Sequence, residues 1–415
     1  MKKCSGSIIL LVLFTFLFSH NDTEAKSNST IDKLSNQAVK ALQDSKFKDS
    51  ENLARKVIKL NKNHSIANLI VAITLYKKTM HNFFIDLSSF FITLNRGAIN
   101  KRYLRWTLEQ TDHDLELVEK HLNIASKDPK IFIELNLTRW EIDWNHNGRI
   151  DWRDKQFFQI EQDADGKPIP EGDPRRTPTF RFDRGDVYWA LAMIDFQRAF
   201  INVVVAYSFP DINLEKLVNN LFRGNTKNKK LIISIKDKKK VHKARKLLLT
   251  AISHADRARK EYLLEKDDDR EWLPNPSQKN HPLPLPVDAT LYKTWKDILS
   301  DLKALIEGTE GFSIAEIAQL GDHKWKNPPD GFLNVGRLFE EPGDITIDFN
   351  NLKGLEKRIK SKANVEKVLR DIFGNKYVKK MKRSLLPSRF SRMKNEIQTG
   401  KESFERKLRY LFWLN

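Results

Sequence analysis

Twelve residues from Asp143 to Asp154 place side-chain oxygens at the first, third, fifth, ninth and twelfth positions: Asp143, Asn145, Asn147, Asp151 and Asp154. Arg149, the seventh, would add its backbone carbonyl. Oxygens alternating in this way suit a hard divalent cation, calcium above all, which takes six or more oxygen ligands on a flexible loop. Gly148 at the sixth position permits the sharp turn that brings both ends of the loop around the ion. Ile150, at the eighth, is the apolar residue expected to turn toward the core.

This spacing resembles an EF-hand loop, and the terminal Asp154 makes it similar to the dockerin-type calcium loop as well. The resemblance covers these residues and their flanks, and it implies a helix on either side. Asp128 supplies an N-cap and Pro129 fits a first helical position, so an entering helix is expected from Pro129 to about Ile142, with Ile131, Leu135, Leu137 and Trp140 on its apolar side. A leaving helix is expected from Trp152 to about Glu161. Because Asp154 replaces the longer glutamate of the family, the resemblance implies weak binding, roughly 10⁻⁴ to 10⁻³ M, and a structural clamp rather than a sensor. A polar Asn-Gly turn without metal would account for the same residues.

Nearby acidic residues read differently. Glu161, Asp163, Asp165 and Gly166 imitate the opening of a second loop, but Pro168 disrupts it and a turn is expected. Asp183 and Asp186 read as caps for a helix starting near Val187. Asp112, His113, Asp114 and His121 read as a solvated helix face, since the two histidines are too far apart in sequence for adjacent ligation. The chain carries no His-Glu-x-x-His zinc signature, nucleophile elbow or phosphate loop. A hydrolase using only Asp and Glu would leave no local signature. Its mark would be a deep pocket holding two acidic side chains with shifted pKa values.

These residues need a scaffold, and the apolar spacing supplies a mainly α one. Residues 1–25 read as a signal peptide: Lys2 and Lys3 precede an apolar run from Ile8 to Phe18, with Ala25 as a cleavage point. Export is therefore expected, to the periplasm or beyond. Cys4 is the sole cysteine and would be removed, which excludes a disulfide scaffold or a thiol enzyme. Over residues 30–125, Leu34, Ala38, Ala41 and Leu42, then Leu53, Val57 and Ile58, then Ala67, Val71, Ala72 and Leu75 recur at helical spacing. With Phe47 at the turn, this hairpin and third helix resemble a divergent tetratricopeptide repeat, and a plain helical bundle accounts for them equally. A helix follows from Tyr103 to Leu122.

Residues 126–270 are expected to be helical around the loop, with the apolar stretch Val187 to Phe209 a buried core helix because Asp195, Gln197 and Arg198 interrupt it. Residues 271–287 are a proline-rich connector, extended in outline. Residues 288–415 are expected to be helical and basic. There Leu291, Trp295, Ile298, Leu302 and Leu305 form a stripe stopped by Gly308, and a second stripe from Ile359 stops at Gly374. A short strand is expected near Ile345 to Phe349.

Charge is local. Arg223–Lys246 holds eleven Lys or Arg against one Asp, and Lys376–Arg409 holds twelve against three Glu, which together equal the chain's formal +19. Such segments suit an anionic membrane surface, a cell-envelope polymer or an acidic protein; nucleic acid is disfavoured by export. They suit equally a solvated lysine-rich face. The C-terminal stretch Phe404 to Trp413 mixes cations with aromatics, as a membrane-surface helix or a docked last helix would. The expectation is thus a calcium-binding exported helical scaffold that meets another macromolecule, with a cell-envelope hydrolase and a peripheral membrane protein as alternatives.

Overall fold

The computed structural model describes residues 29–95, 101–143, 149–163, 167–208, 230–266, 270–278, 281, 287–313, 331–348, 370 and 374–397. The chain is mainly helical. Helices α1 (residues 29–43) and α2 (Phe47–Leu60) form a hairpin whose turn places Ser45 at φ 60°. Ala38 and Ala54 are fully buried, and the Ser50 hydroxyl donates to the Ala38 carbonyl at 2.7 Å, an approach that small residues allow. Helix α3 (Ser65–Asn95) follows, and α4 (Lys101–Ala125) runs back along it. That direction is fixed by Tyr103, which donates to Asp86 at 2.6 Å at one end, and by His121 Nδ1, which lies 2.8 Å from Asn68 Oδ1 at the other.

The helix expected from Pro129 to Ile142 does not form. Asp128 caps a turn instead, accepting from Lys130 N and from the Ser65 hydroxyl, and the chain continues as strand β1 (Phe132–Leu135) and a 3-10 turn (Leu137–Arg139). Ile131, Ile133, Leu135 and Leu137 are all buried, a period of two that a strand satisfies and a helix does not. The leaving helix is also shorter than expected, α5 (Trp152–Gln156).

Strand β2 (Phe180–Asp183) pairs antiparallel with β1, Phe132 opposite Asp183. It passes directly into α6 (Arg184–Ala206), whose start is a complete capping box between Asp183 and Asp186, as caps expected there would be. This helix is the one described element long and apolar enough to cross a membrane. Several of its polar residues are nonetheless bonded to neighbouring helices. Arg198 meets Asp112 and Glu119 on α4, and Asp195 Oδ2 lies 2.9 Å from His254 Nδ1 on α7 (Lys238–Leu264). Helix α7 runs antiparallel to α6, tied to its end where Lys236 N and Asp237 N both bond to the Ala206 carbonyl.

Main-core residues come from α1 to α4, β1, β2, α6, α7 and the segment Trp272–Leu273. Helix α8 (Ala289–Glu307) adds Leu291 and Tyr292 to it, then gives Ile298 and Leu305 to a smaller cluster with Leu386 of α10 (Leu386–Ile397). Gly308 ends α8 in the left-handed conformation at φ 77°. The remaining elements are short: β3 (Lys230–Ile233) pairs with β6 (Ile345–Asp348), and β7 (Val378–Lys379), β5 (Phe332–Leu333), β4 (Glu310–Ser313) and β8 (Lys382–Arg383) make a small sheet beside α9 (Val335–Glu340). The strand expected near Ile345 is present. The signal segment, the stripe from Ile359 to Ile372 and the stretch Phe404 to Trp413 lie outside the described residues.

Candidate carboxylate centre and adjoining cavity

Asp183 lies at the junction of β2 and α6 because its side chain caps the helix, Oδ1 accepting from Gly185 N at 2.6 Å and Asp186 N at 3.4 Å. Asp186 reaches back to Asp183 N at 2.7 Å and accepts the Tyr262 hydroxyl at 2.8 Å, so each of its oxygens has a donor. Tyr262 approaches this closely because residue 185 is glycine: a Cβ there would meet the Tyr262 ring at 2.5 Å.

Two further carboxylates converge on the same point. Glu265 is the C-cap of α7. The Asn275 side chain donates to the carbonyls of Leu263 and Glu265 and so holds this end of the helix. Glu271 follows α7 in the chain and bridges to Arg181 of β2, with its carboxylate 3.6 Å from the Arg181 guanidinium. One ligand oxygen from each of Asp183, Glu265 and Glu271 lies within 4.8 Å of the others. Among the described residues no backbone or basic side-chain donor reaches the two buried Glu265 oxygens, and the neighbour within hydrogen-bonding reach is the Asp183 carboxylate.

Electrostatics follow from this crowding. Burial, then the facing Asp183 carboxylate, pushes Glu265 up to about 12, and Glu271 and Asp186 add to the shift. Burial and the Asp183 charge hold Asp186 well above the usual carboxylate range. Burial likewise raises the hydroxyls of Tyr262 and Tyr292. A locus with this many carboxylates must retain protons or take up a cation.

Asp183 and Asp186 also line one wall of a cavity of about 370 Å³. The rest of its lining is mostly apolar, contributed by α3 (Leu69 to Phe84), α4, α6 and the β1–β2 ribbon.

Of the loop residues singled out by spacing, Asn145, Asn147 and Gly148 lie outside the described residues. Asp143 is among the cavity-lining residues. Asp154 is buried, and its Oδ2 accepts Asp151 N at 2.9 Å, which is half of a capping box for α5. Arg149 and Ile150 precede α5, with Ile150 exposed rather than turned into the core. Among the described residues, Asp143, Asp151 and Asp154 do not converge as Asp183, Glu265 and Glu271 do. Asp163 closes a turn by accepting Lys167 N, in keeping with the expectation for that segment.

The face read as solvated on α4 is so in part: His113 is exposed and Asp114 half-buried. Asp112 is buried between Arg198 and Lys243, and His121 is hydrogen-bonded to Asn68. The basic segments are partly neutralised by the fold: Lys240 pairs with Glu109, Lys243 with Asp112, Lys382 with Glu310, and Arg389 with Asp297 and Asp301. Sequence reasoning missed Glu265 and Glu271, which belong to a charged run from Glu265 to Glu271 that reads as solvent-facing; nothing local in it points to Asp183.

Fold and site together define a mainly helical protein with a buried carboxylate centre. No family model, curated protein or solved structure significantly matches the chain.

Proposed function

We propose that this chain is an exported, non-enzymatic helical scaffold stabilised by divalent cations, with calcium held by Asp183, Glu265 and Glu271 and a second, weaker calcium in the loop of Asp143, Asn145, Asn147, Arg149, Asp151 and Asp154. The carrying observation is the Glu265 carboxylate, whose two buried oxygens meet no backbone or basic donor among the described residues while two further carboxylates face it. All three ligands are hard oxygens, which suit calcium, magnesium or manganese and disfavour softer metals. A cation there would join the first turn of α6 to the last turn of α7 and the segment after it. The basic segments and the helical faces would then meet an acidic partner or a cell-envelope polymer.

One observation favours a hydrolase instead. The cavity lining includes the acidic residues Glu141, Asp143, Asp183 and Asp186, the last raised well above its usual range. Both oxygens of Asp186 are occupied by Asp183 N and Tyr262, and one oxygen of Asp183 caps α6. Asp183 and Asp186 are thus held by structural hydrogen bonds rather than poised as an acid and base pair, which favours the scaffold reading.

Calorimetric titration of the purified chain with calcium tests the reading. Binding that Glu265→Gln weakens at the carboxylate centre supports it, and Asp143→Ala should separately abolish a calcium-dependent change in tryptophan emission from the loop. Absence of any heat with millimolar calcium or magnesium would end the proposal.

A further inference from the structure

Protein interiors leave few voids larger than a water molecule, so a cavity of about 370 Å³ between α3, α4, α6 and the β1–β2 ribbon is out of the ordinary. Apolar cavities of about 150 Å³ already stay dry and accept benzene. More than twice that room suits a chain on the order of ten carbons. Ala72 and Ile73 of α3, Val118 and Leu122 of α4, and Val187 and Ile194 of α6 give the walls their aliphatic character.

One lining residue carries a hydrogen-bond donor that the fold leaves unused. Trp140 is 7% exposed, and its Nε1–H is buried without a partner. Indole is a donor only, so nothing but an acceptor offsets that loss of solvation, and native structures rarely leave such a group unmatched. The ring is fixed by edge-on contacts to Phe47 at 5.4 Å and Phe158 at 6.4 Å. An apolar chamber with a few polar groups is the usual form of a small-molecule site.

Charge narrows the class of ligand. The lining holds four acidic residues, Glu141, Asp143, Asp183 and Asp186, against Lys77 and His81, which disfavours an anion. A cationic head would suit the acids but bring no acceptor to the indole. An uncharged molecule with an acceptor oxygen meets both conditions.

We infer that this cavity binds an uncharged aliphatic carbonyl compound of about ten carbons, a ketone, aldehyde or ester, whose oxygen accepts from Trp140 Nε1 and whose chain lies against the aliphatic walls. Neither Trp140 nor the wall residues named above are among those proposed to hold calcium.

The test uses 2-decanone, its hydrocarbon isostere 2-methyl-1-decene, decanoate and decylammonium, each titrated into the purified full-length chain with a chelator present. The ketone is expected to bind at least about tenfold more tightly than either ion, since burying an unpaired charge in an apolar chamber is costly. Trp140→Phe should weaken the ketone about fivefold, the factor for one neutral hydrogen bond, and the isostere much less. Ala190→Leu, which takes up room in the cavity, should weaken both alike. Far-ultraviolet circular dichroism reports whether each variant folds. In the unaltered protein the infrared carbonyl stretch of the bound ketone should lie below its value in hexane, as it does when the oxygen accepts a hydrogen bond. A stretch at the hexane value overturns the inference, as does an ion that binds as tightly as the ketone, or equal losses for ketone and isostere in folded Trp140→Phe. Because calcium is absent throughout, the cation reading stands or falls separately.

Discussion

The N-cap of α6, Asp183, and the C-cap of α7, Glu265, present carboxylate oxygens within 4.8 Å of each other, although the two residues are far apart in the chain. Such a contact is unfavourable for two ionised groups and favourable only with a shared proton or a cation.

Glu265→Gln should therefore separate the cost of the carboxylate from its use. Without added cation the variant is expected to melt at the same temperature as the unaltered protein or a few degrees higher, because a neutral amide replaces an unpaired buried acid. With calcium at about a hundred times its dissociation constant, the unaltered protein should gain about 2.7 kcal/mol and the variant much less. Thermal melts with calcium and with a chelator measure both effects. A variant that gains as much as the parent would remove Glu265 from the site.

Gly185→Ala is expected to destabilise the chain by about 1–3 kcal/mol, as overpacking of a close contact does. The added methyl would meet the Tyr262 ring at 2.5 Å and push its hydroxyl from Asp186. Pairing it with Tyr262→Leu should recover part of the loss in urea unfolding, since the clash and the ring disappear together.

Arg198 is almost wholly buried among Asp112, Glu116 and Glu119. Replacing it by Met leaves Glu119 without its cation and Asp112 with Lys243 alone, and should cost about 3–5 kcal/mol. Adding Asp112→Asn and Glu119→Gln should restore much of that amount. If the single variant unfolds at the parental denaturant concentration, the network is not stabilising as described.

His64 and His121 both have pKa values lowered from 6.5, burial being the first cause in each. Each is thus held neutral in the fold while the unfolded chain protonates more readily. Their contribution is present above 6.5 and is lost as pH falls below it. His121→Gln, which can still donate to Asn68, should make stability less steeply dependent on pH between about 7 and 5. Equal slopes for variant and parent would contradict this.

How much was legible depends on whether the signal was local. The stripe from Leu291 to Leu305 and its stop at Gly308 could be read directly, since a periodic face and a left-handed glycine are properties of neighbouring residues. The same holds for the caps at Asp183 and Asp186 and for the turn that places Phe47 at the start of α2. The segment after Asp128 misled because Asp-Pro is equally good at opening a turn and a helix; the alternation of Ile131, Ile133, Leu135 and Leu137 held the answer. The carboxylate centre had no local trace, because two of its members are brought to the third only by the antiparallel return of α7 along α6.

That return has a kinetic consequence. At one end the two helices are joined through the chain, with Tyr207 bridged to Ile235 and the Ala206 carbonyl shared by two amides. At the other end the contacts are noncovalent, and the carboxylate centre sits there. Fraying is then expected to start at the final turn of α7, and amide hydrogen exchange between Tyr262 and Glu265 would report the opening of the pair. A cation among those three acids would act as a latch on that opening.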